Sequence, residues 1–294
     1  MVAGSRPLIV IVGPTASGKS AVAMAVAERY QGEIIAADSR TVYKGMDIGT
    51  AKPSPNDRRR VVHWGLDLIE PTGRFTASDF KSYAEAAIAD IRRRHRLPVM
   101  VGGTGLYVEA VLLDYGFGPD ADLARRARLE KKSLRQLQQD IVRQNLPLPG
   151  NAANKRHLIR VLETGGRPAA RSPGLRPDAA VFGILPPDAE LRRRIDERVE
   201  FIFKNGFVDE VRQLVAGYGQ KALSRNSGIG YRIAFELLGG AISLDEAKRR
   251  FKQADWRYAR RQRTWWRRHD FVQWSASGRE CQAKIVHFLT SLPK

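Results

Sequence analysis

The sequence predicts an α/β protein: a parallel sheet flanked by helices, with a small inserted helical subdomain and a helical C-terminal part. Three observations predict it. Apolar runs of strand length alternate with amphipathic stretches over residues 7–113. A Gly-rich turn joins the first run to the first helical stretch at residues 13–20. Residues 114–165 break the alternation with charged helical segments. The expected division is therefore a core of residues 1–113 and 166–294 around an insertion of residues 114–165. With 294 residues, 43% of them apolar, the chain can bury a full core.

The first strand is expected at 7–12. It runs into Gly13-Pro14-Thr15-Ala16-Ser17-Gly18-Lys19-Ser20, and a helical stretch follows from Ala21 to Tyr30. Gly, four residues, then Gly-Lys-Ser between a strand and a helix is a P-loop. The expected fold is accordingly P-loop NTPase-like. Backbone N–H groups of the turn and of the helix start converge on an anion. Lys19 would reach a phosphate as a point charge, and the Ser20 hydroxyl would hold Mg²⁺. Such a loop implies a phosphate chain without saying whose.

A second strand is expected at 33–37. Asp38-Ser39-Arg40-Thr41-Val42-Tyr43 follows it. A carboxylate at that strand end, facing a P-loop, would bind Mg²⁺ through water or take a proton from a nucleophile. It would otherwise be a cap or a solvated loop residue. Lys44 to Pro53 has three Gly or Pro residues among ten and no evident chemistry of its own. A helix is expected at 79–94, with Phe80, Tyr83, Ala84, Ala87, Ile88 and Ile91 on one face and Ser78 as its N-cap. A third strand, 97–101, leads to Gly102-Gly103-Thr104-Gly105. Its glycines would let a backbone approach a ligand, and Thr104 would offer a hydroxyl; the alternative is a tight turn without a ligand. Right-handed crossovers would bring these three loops to one edge of the sheet, where such folds bind ligands.

Residues 122–145 read as one charged helical piece, with Leu123, Leu134, Leu137 and Ile141 marking a face, broken by Pro147-Leu148-Pro149-Gly150. A helix at 154–164 would end at Gly165-Gly166. Residues 167–178 read as a mobile loop, and 180–185 as another strand. Beyond Asp188 the chain reads as helical to about 268.

Fifty Lys and Arg against 31 Asp and Glu leave a net charge of +19, which suits a polyanionic partner. The stretch 251–269 holds seven Lys or Arg and three Trp, placing guanidinium groups beside aromatic faces as RNA binding requires. Some of those Trp are expected in the core. No apolar run reaches the length of a membrane span. The start MVAGSRP is too short and polar for a signal peptide, and the single cysteine, Cys281, excludes an internal disulfide. A cytoplasmic location is expected. The five histidines show no metal spacing.

Taken together, GPTASGKS at 13–20, ADSRTVYKGMDIGTAKP at 37–53, VGGTGLY at 101–107, Arg160-Val-Leu-Glu163, Gly230-Tyr231-Arg232 and YARRQRTWWR at 258–267 resemble the tRNA dimethylallyltransferase (tRNA isopentenyltransferase) family. The resemblance spans nearly the whole chain. It implies transfer of a dimethylallyl group from dimethylallyl diphosphate to N6 of the adenine 3′ to a tRNA anticodon, with Mg²⁺ as cofactor. Residues Gly13 to Ser20 would hold the diphosphate, with Mg²⁺ at Ser20. Asp38 would be the general base, and Ser39, Arg40 and Thr41 would line the tRNA contact. Thr104 would sit at the reacting centre. Arg126, Arg156, Arg160 and the run Ser227, Gly230, Tyr231 and Arg232 would touch the anticodon stem-loop, with Arg232 near the diphosphate. A monomer is expected. The chain departs from the family where Asp255-Trp256 stand in place of Thr-Arg, and in the stretch 153–157. Two rival classes are an ATP-binding small-molecule kinase and a non-catalytic RNA-binding module. A nearer variant would prenylate free AMP, ADP or ATP.

Overall fold

A computed structural model describes residues 6–117, 122–167 and 170–292. The start of the chain weighed above as a signal peptide therefore lies mostly outside the described residues. The chain divides into two compact units, residues 1–112 with 174–294, and residues 113–173.

The first unit begins with β1 (Leu8–Val12), α1 (Lys19–Arg29), β2 (Gly32–Ala36), α2 (Pro55–Arg60), β3 (His63–Trp64), α3 (Ala77–Arg93), β4 (Leu97–Gly102) and α4 (Gly105–Leu112). The second unit holds α5 (Leu123–Lys131), α6 (Leu134–Arg143) and α7 (Lys155–Thr164). The first unit resumes with β5 (Ala179–Ile184), α8 (Asp188–Lys204), α9 (Phe207–Tyr218), α10 (Gln220–Leu223), α11 (Ile229–Leu238), α12 (Leu244–Trp266), β6 (Val272–Ser275) and α13 (Gly278–Ser291).

The strands form one six-stranded sheet in the order β3-β2-β4-β1-β5-β6, with every pairing parallel. Central β1 pairs Ile9 with Val99 on one side and with Ala180 on the other. Its five residues are all buried. A parallel strand covered on both faces needs this continuous apolar run, and each such side chain contributes roughly 1.5–3 kcal/mol. Ile9, Ile11, Val22, Val26, Phe182 and Ile285 pack on one side of the sheet. A second core joins Val42, Met46, Phe207, Val211, Tyr231 and Phe251.

Strands β1, β2, β4 and β5 lie within a residue of the expected positions. Short β3, edge strand β6 and α13 were not anticipated. The N-cap of α3 is Thr76, not Ser78; Thr76 and Asp79 form a reciprocal capping box. The expected piece at 122–145 is two helices, because Ser133 caps α6 with a second capping box and restarts the chain. Leu137 and Ile141 are buried as expected, Leu134 is exposed, and the Leu123 side chain lies outside the described set. Within the expected mobile loop the described residues are tied down. Ser172 N donates to Leu113 O at 2.8 Å, and Arg176 bonds Glu85 at 2.8 Å and Asp178 at 2.7 Å. No helix among the described residues is long and apolar enough to cross a membrane.

Candidate active site

The turn after β1 must reverse beside a neighbouring strand. A Cβ on Gly13 would lie 2.5 Å from Ile184 O, so only glycine fits there. Ala16 and Gly18 take positive φ, at 60° and 92°. This change of hand turns successive N–H groups into one hollow. Gly18 caps α1 without a side-chain acceptor, so the N–H groups of that first turn face an open site. Not every amide of the loop is open. Thr15 N donates to Gln262 Oε1 at 2.8 Å, and Ser17 N donates to Pro14 O at 3.3 Å. The Ser17 side chain is fully buried, and its hydroxyl has no hydrogen-bond partner among the described residues.

Lys19 Nζ donates to Pro14 O at 3.0 Å. Burial lowers its pKa to about 8; the Asp38 carboxylate works against that shift and Arg198 adds to it. Lys19 and Asp38 therefore share one electrostatic environment although the sequence separates them. A cavity of about 1010 Å³ joins them, lined also by Ser20, Thr41, Arg194 and Arg198.

Asp38 sits where β2 ends. Its Oδ1 accepts from Arg40 N at 2.8 Å, closing a local turn. Thr104 approaches from the neighbouring β4 end: its Oγ1 accepts from Ser39 N at 3.0 Å, and its N donates to Ala37 O at 3.3 Å. Tyr258 of α12 lies beside Thr104 and Asp38, both of which act on its phenol. Burial, with the Asp38 charge adding, pushes the Tyr258 phenol up to about 12, so it keeps its proton at neutral pH. The P-loop, Asp38 and Thr104 thus converge at the carboxyl edge of the sheet.

The glycines of the 102–105 turn allow close packing. A Cβ on Gly102 would fall 2.0 Å from Ala37 O, one on Gly103 2.0 Å from Gln262 Nε2, and one on Gly105 2.2 Å from Trp265 Nε1. They make room for Ala37 and α12, and Gly102 also lines the cavity.

Sequence reasoning missed Arg194 and Arg198, which α8 presents to the cavity. Arg194 Nη1 donates to Ser17 O at 3.1 Å. Arg198 Nη1 pairs with Asp255 at 2.5 Å and Nη2 reaches Thr50 O at 3.5 Å. Asp255 is buried, which raises its pKa, with Arg198 opposing the shift. One of the positions departing from the family pattern therefore holds an arginine of the site. Alternating apolar residues of α8 at Leu191, Ile195, Val199 and Ile202 define its buried face, but that pattern does not tell which arginine turns inward.

Several expected contacts lie elsewhere. Arg232 does not line the cavity; it is exposed on α11 and donates to Ser224 O at 3.3 Å. Gly230 and Tyr231 are core residues, not an RNA surface. A Cβ on Gly230 would strike Phe251 at 2.4 Å, and Tyr231 Oη donates to Glu210 Oε1 at 2.7 Å. Ser227 is buried, as is Thr41, which still reaches the cavity. Arg40 bonds Asn226 O, and Ser39 is half-buried beside it. In the second unit Arg126 pairs with Glu130 and Glu163 at 3.1 Å, Arg160 lies 3.9 Å from Glu163, and Arg156 is exposed.

The Ser20 hydroxyl and Asp38 carboxylate are oxygen donors on one cavity. Among the described residues no group of three or more His, Cys, Asp or Glu gathers for a metal. This donor set fits Mg²⁺, which prefers oxygen, keeps waters and completes its shell with substrate phosphates.

Residues 41–269 match the family model described as IPP transferase. The tRNA dimethylallyltransferase of Anaeromyxobacter dehalogenans is 43% identical over 301 aligned positions, covering 97% of this chain and 98% of that protein. That of Geobacter metallireducens is 40% identical, with 91% of each covered. Among solved structures, the tRNA isopentenylpyrophosphate transferase of Bacillus halodurans matches with a TM-score of 0.73 at 33% identity, over 97% of this chain and 96% of that one. The Staphylococcus epidermidis enzyme gives 0.72 at 29% identity, over 96% and 98%. The P-loop precedes the family-model match, yet these relatives align along nearly the whole chain, and together they show that it belongs to the IPP transferase family of tRNA dimethylallyltransferases.

Proposed function

We propose that this enzyme transfers a dimethylallyl group from dimethylallyl diphosphate to N6 of the adenine 3′ to a tRNA anticodon, releasing diphosphate. The observation that carries the reading is the single cavity joining Lys19, Ser20 and Arg198 on one side to Asp38 on the other. Cations and open amides suit a leaving diphosphate; a carboxylate suits the amine that displaces it.

The adenine must leave its stack to reach such a pocket. Its N6 then attacks the allylic carbon. The carbon–oxygen bond to the diphosphate breaks, and that electron pair leaves with the diphosphate. The surplus proton on N6 passes to the Asp38 carboxylate. Lys19, Arg198 and the N–H groups of α1 meet charge that grows toward the transition state, which is where stabilisation accelerates the step. Ser20, together with the donor's own oxygens, would hold Mg²⁺, which neutralises part of the diphosphate charge. The Thr104 hydroxyl, fixed by its bond from Ser39 N, stands beside the reacting groups. Exposed Arg257, Arg260 and Arg261 on the outward face of α12, with Arg267 at its C-cap, supply phosphate contacts to the tRNA.

The test is mass spectrometry of an unmodified tRNA incubated with the protein, Mg²⁺ and dimethylallyl diphosphate. A prenyl-sized gain on that adenosine is expected. Asp38→Ala should lose roughly 10²–10⁴-fold in rate while tRNA still binds. Phosphate transfer from ATP with no prenyl gain would return the loop to a kinase.

A further inference from the structure

We infer that Gln262 is a positioning residue for this transfer: its side-chain amide sets the spacing between the P-loop and the Thr104 turn. The inference rests on the prenyl-transfer reading above. Gln262 stands on α12 and is only 4% exposed. Its Oε1 accepts from Thr15 N at 2.8 Å, and its Nε2 donates to Gly103 O at 2.9 Å. One amide thus spans from the loop that holds the leaving group to the turn that carries Thr104.

The fit around it is close. Gly103 has no room for a Cβ because Gln262 Nε2 would lie 2.0 Å away. One turn earlier on α12, Tyr258 lies beside Thr104. One turn later, Trp265 packs on Gly105. The same helix face therefore meets Gly103, Thr104 and Gly105 in succession. Gln262 also hydrogen-bonds the P-loop.

Displacement at an allylic carbon requires nucleophile, carbon and leaving oxygen to be held in register, and an error of about 1 Å costs on the order of 10²-fold. Gln262 touches neither substrate in this mechanism; it acts through Thr15 and Gly103. Its chemistry is specific. It must accept at one end and donate at the other. A protonated carboxylic acid does both, whereas a carboxylate only accepts.

The experiment compares full-length wild type with Gln262→Met and Gln262→Glu. Steady-state kinetics with tRNA and dimethylallyl diphosphate are run between about pH 6 and pH 8, and inorganic diphosphate affinity and melting temperature are measured alongside. Met should lower kcat on the order of 10²-fold, with KM for the donor within roughly threefold. Glu should be equally impaired near pH 8. It should recover at least about tenfold relative to wild type near pH 6, because burial raises a carboxyl pKa into that range. A kcat within roughly threefold of wild type for both variants overturns the inference, as does a loss confined to KM. Should Met fail to fold, the Glu-to-wild-type ratio decides: a ratio flat with pH overturns the inference. A wild-type protein that transfers no prenyl group overturns the underlying reading instead, and no variant is needed to see it.

Discussion

Lys19 shows how strongly a single residue depends on its surroundings. In a solvated helix it would stay charged to high pH. Burial lowers it to about 8 here, even with Asp38 opposing. The free enzyme therefore begins to lose its ammonium near that value, and in the proposed mechanism only the ammonium form attracts the diphosphate. The sign follows: kcat/KM for the donor should be flat below pH 8 and fall up to tenfold per pH unit above it. A pH series at fixed tRNA checks this; Lys19→Arg should remove the limb, because guanidinium keeps its proton throughout. At this scale the sequence was partly legible. Lys19 and Ser20 follow from loop spacing alone. Arg198 does not, because its role comes from pairing with Asp255 across two helices.

Among elements, the segment 44–53 changes most in meaning. Its glycines and Pro53 suggest a turn without chemistry. In the fold it is a built support for the site. The Glu210 carboxylate accepts from Asp47 N at 2.8 Å, Ile48 N at 2.6 Å and Gly49 N at 3.1 Å, and also from Tyr231 Oη. Lys52 Nζ donates to Tyr43 O, Asp47 and Asp67, each at 2.6 Å, with its side chain 1% exposed. Gly49 is required because a Cβ would lie 2.3 Å from Phe207. The loop then offers Thr50 O to Arg198 and lines the cavity. Removing the carboxylate strands several polar groups together. Glu210→Ala should cost about 2–4 kcal/mol and lower the thermal midpoint by roughly 3–7 °C. Calorimetry measures it, and an unchanged midpoint would show that the loop stands without this support.

For the whole molecule, charge is the dominant quantity. A net +19 is spread over surfaces that ion pairs partly neutralise. In the second unit Arg126 is held by Glu130 and Glu163, while Leu137, Ile141, Leu158 and Leu162 form that unit's own core. On α12 the inward face carries Phe251, Gln262 and Trp266, and the outward face Arg257, Arg260 and Arg261, with Arg267 at the C-cap. If those four arginines meet phosphates, tRNA affinity should fall roughly a hundredfold between 50 and 200 mM salt. A filter-binding series gives the slope. A flat response would remove the basic surface from recognition.

The sequence by itself determined what short-range physics controls: apolar runs became strands, Gly-x4-Gly-Lys-Ser became the turn that opens α1, and Asn154 and Gly165 bounded α7. It also determined family membership, through motifs spread along the chain. Only the tertiary structure decided which polar groups meet. Thr15 and Gln262 are 247 positions apart, and Arg194 lies 177 from Ser17. Such contacts depend on how α8 and α12 cross the sheet edge, and no local period encodes that crossing. The same reason made Gly103 and Gly105 look like ligand-binding glycines, although α12 is what needs the space. It also left Gly230 and Tyr231 looking like an RNA surface when they close a core.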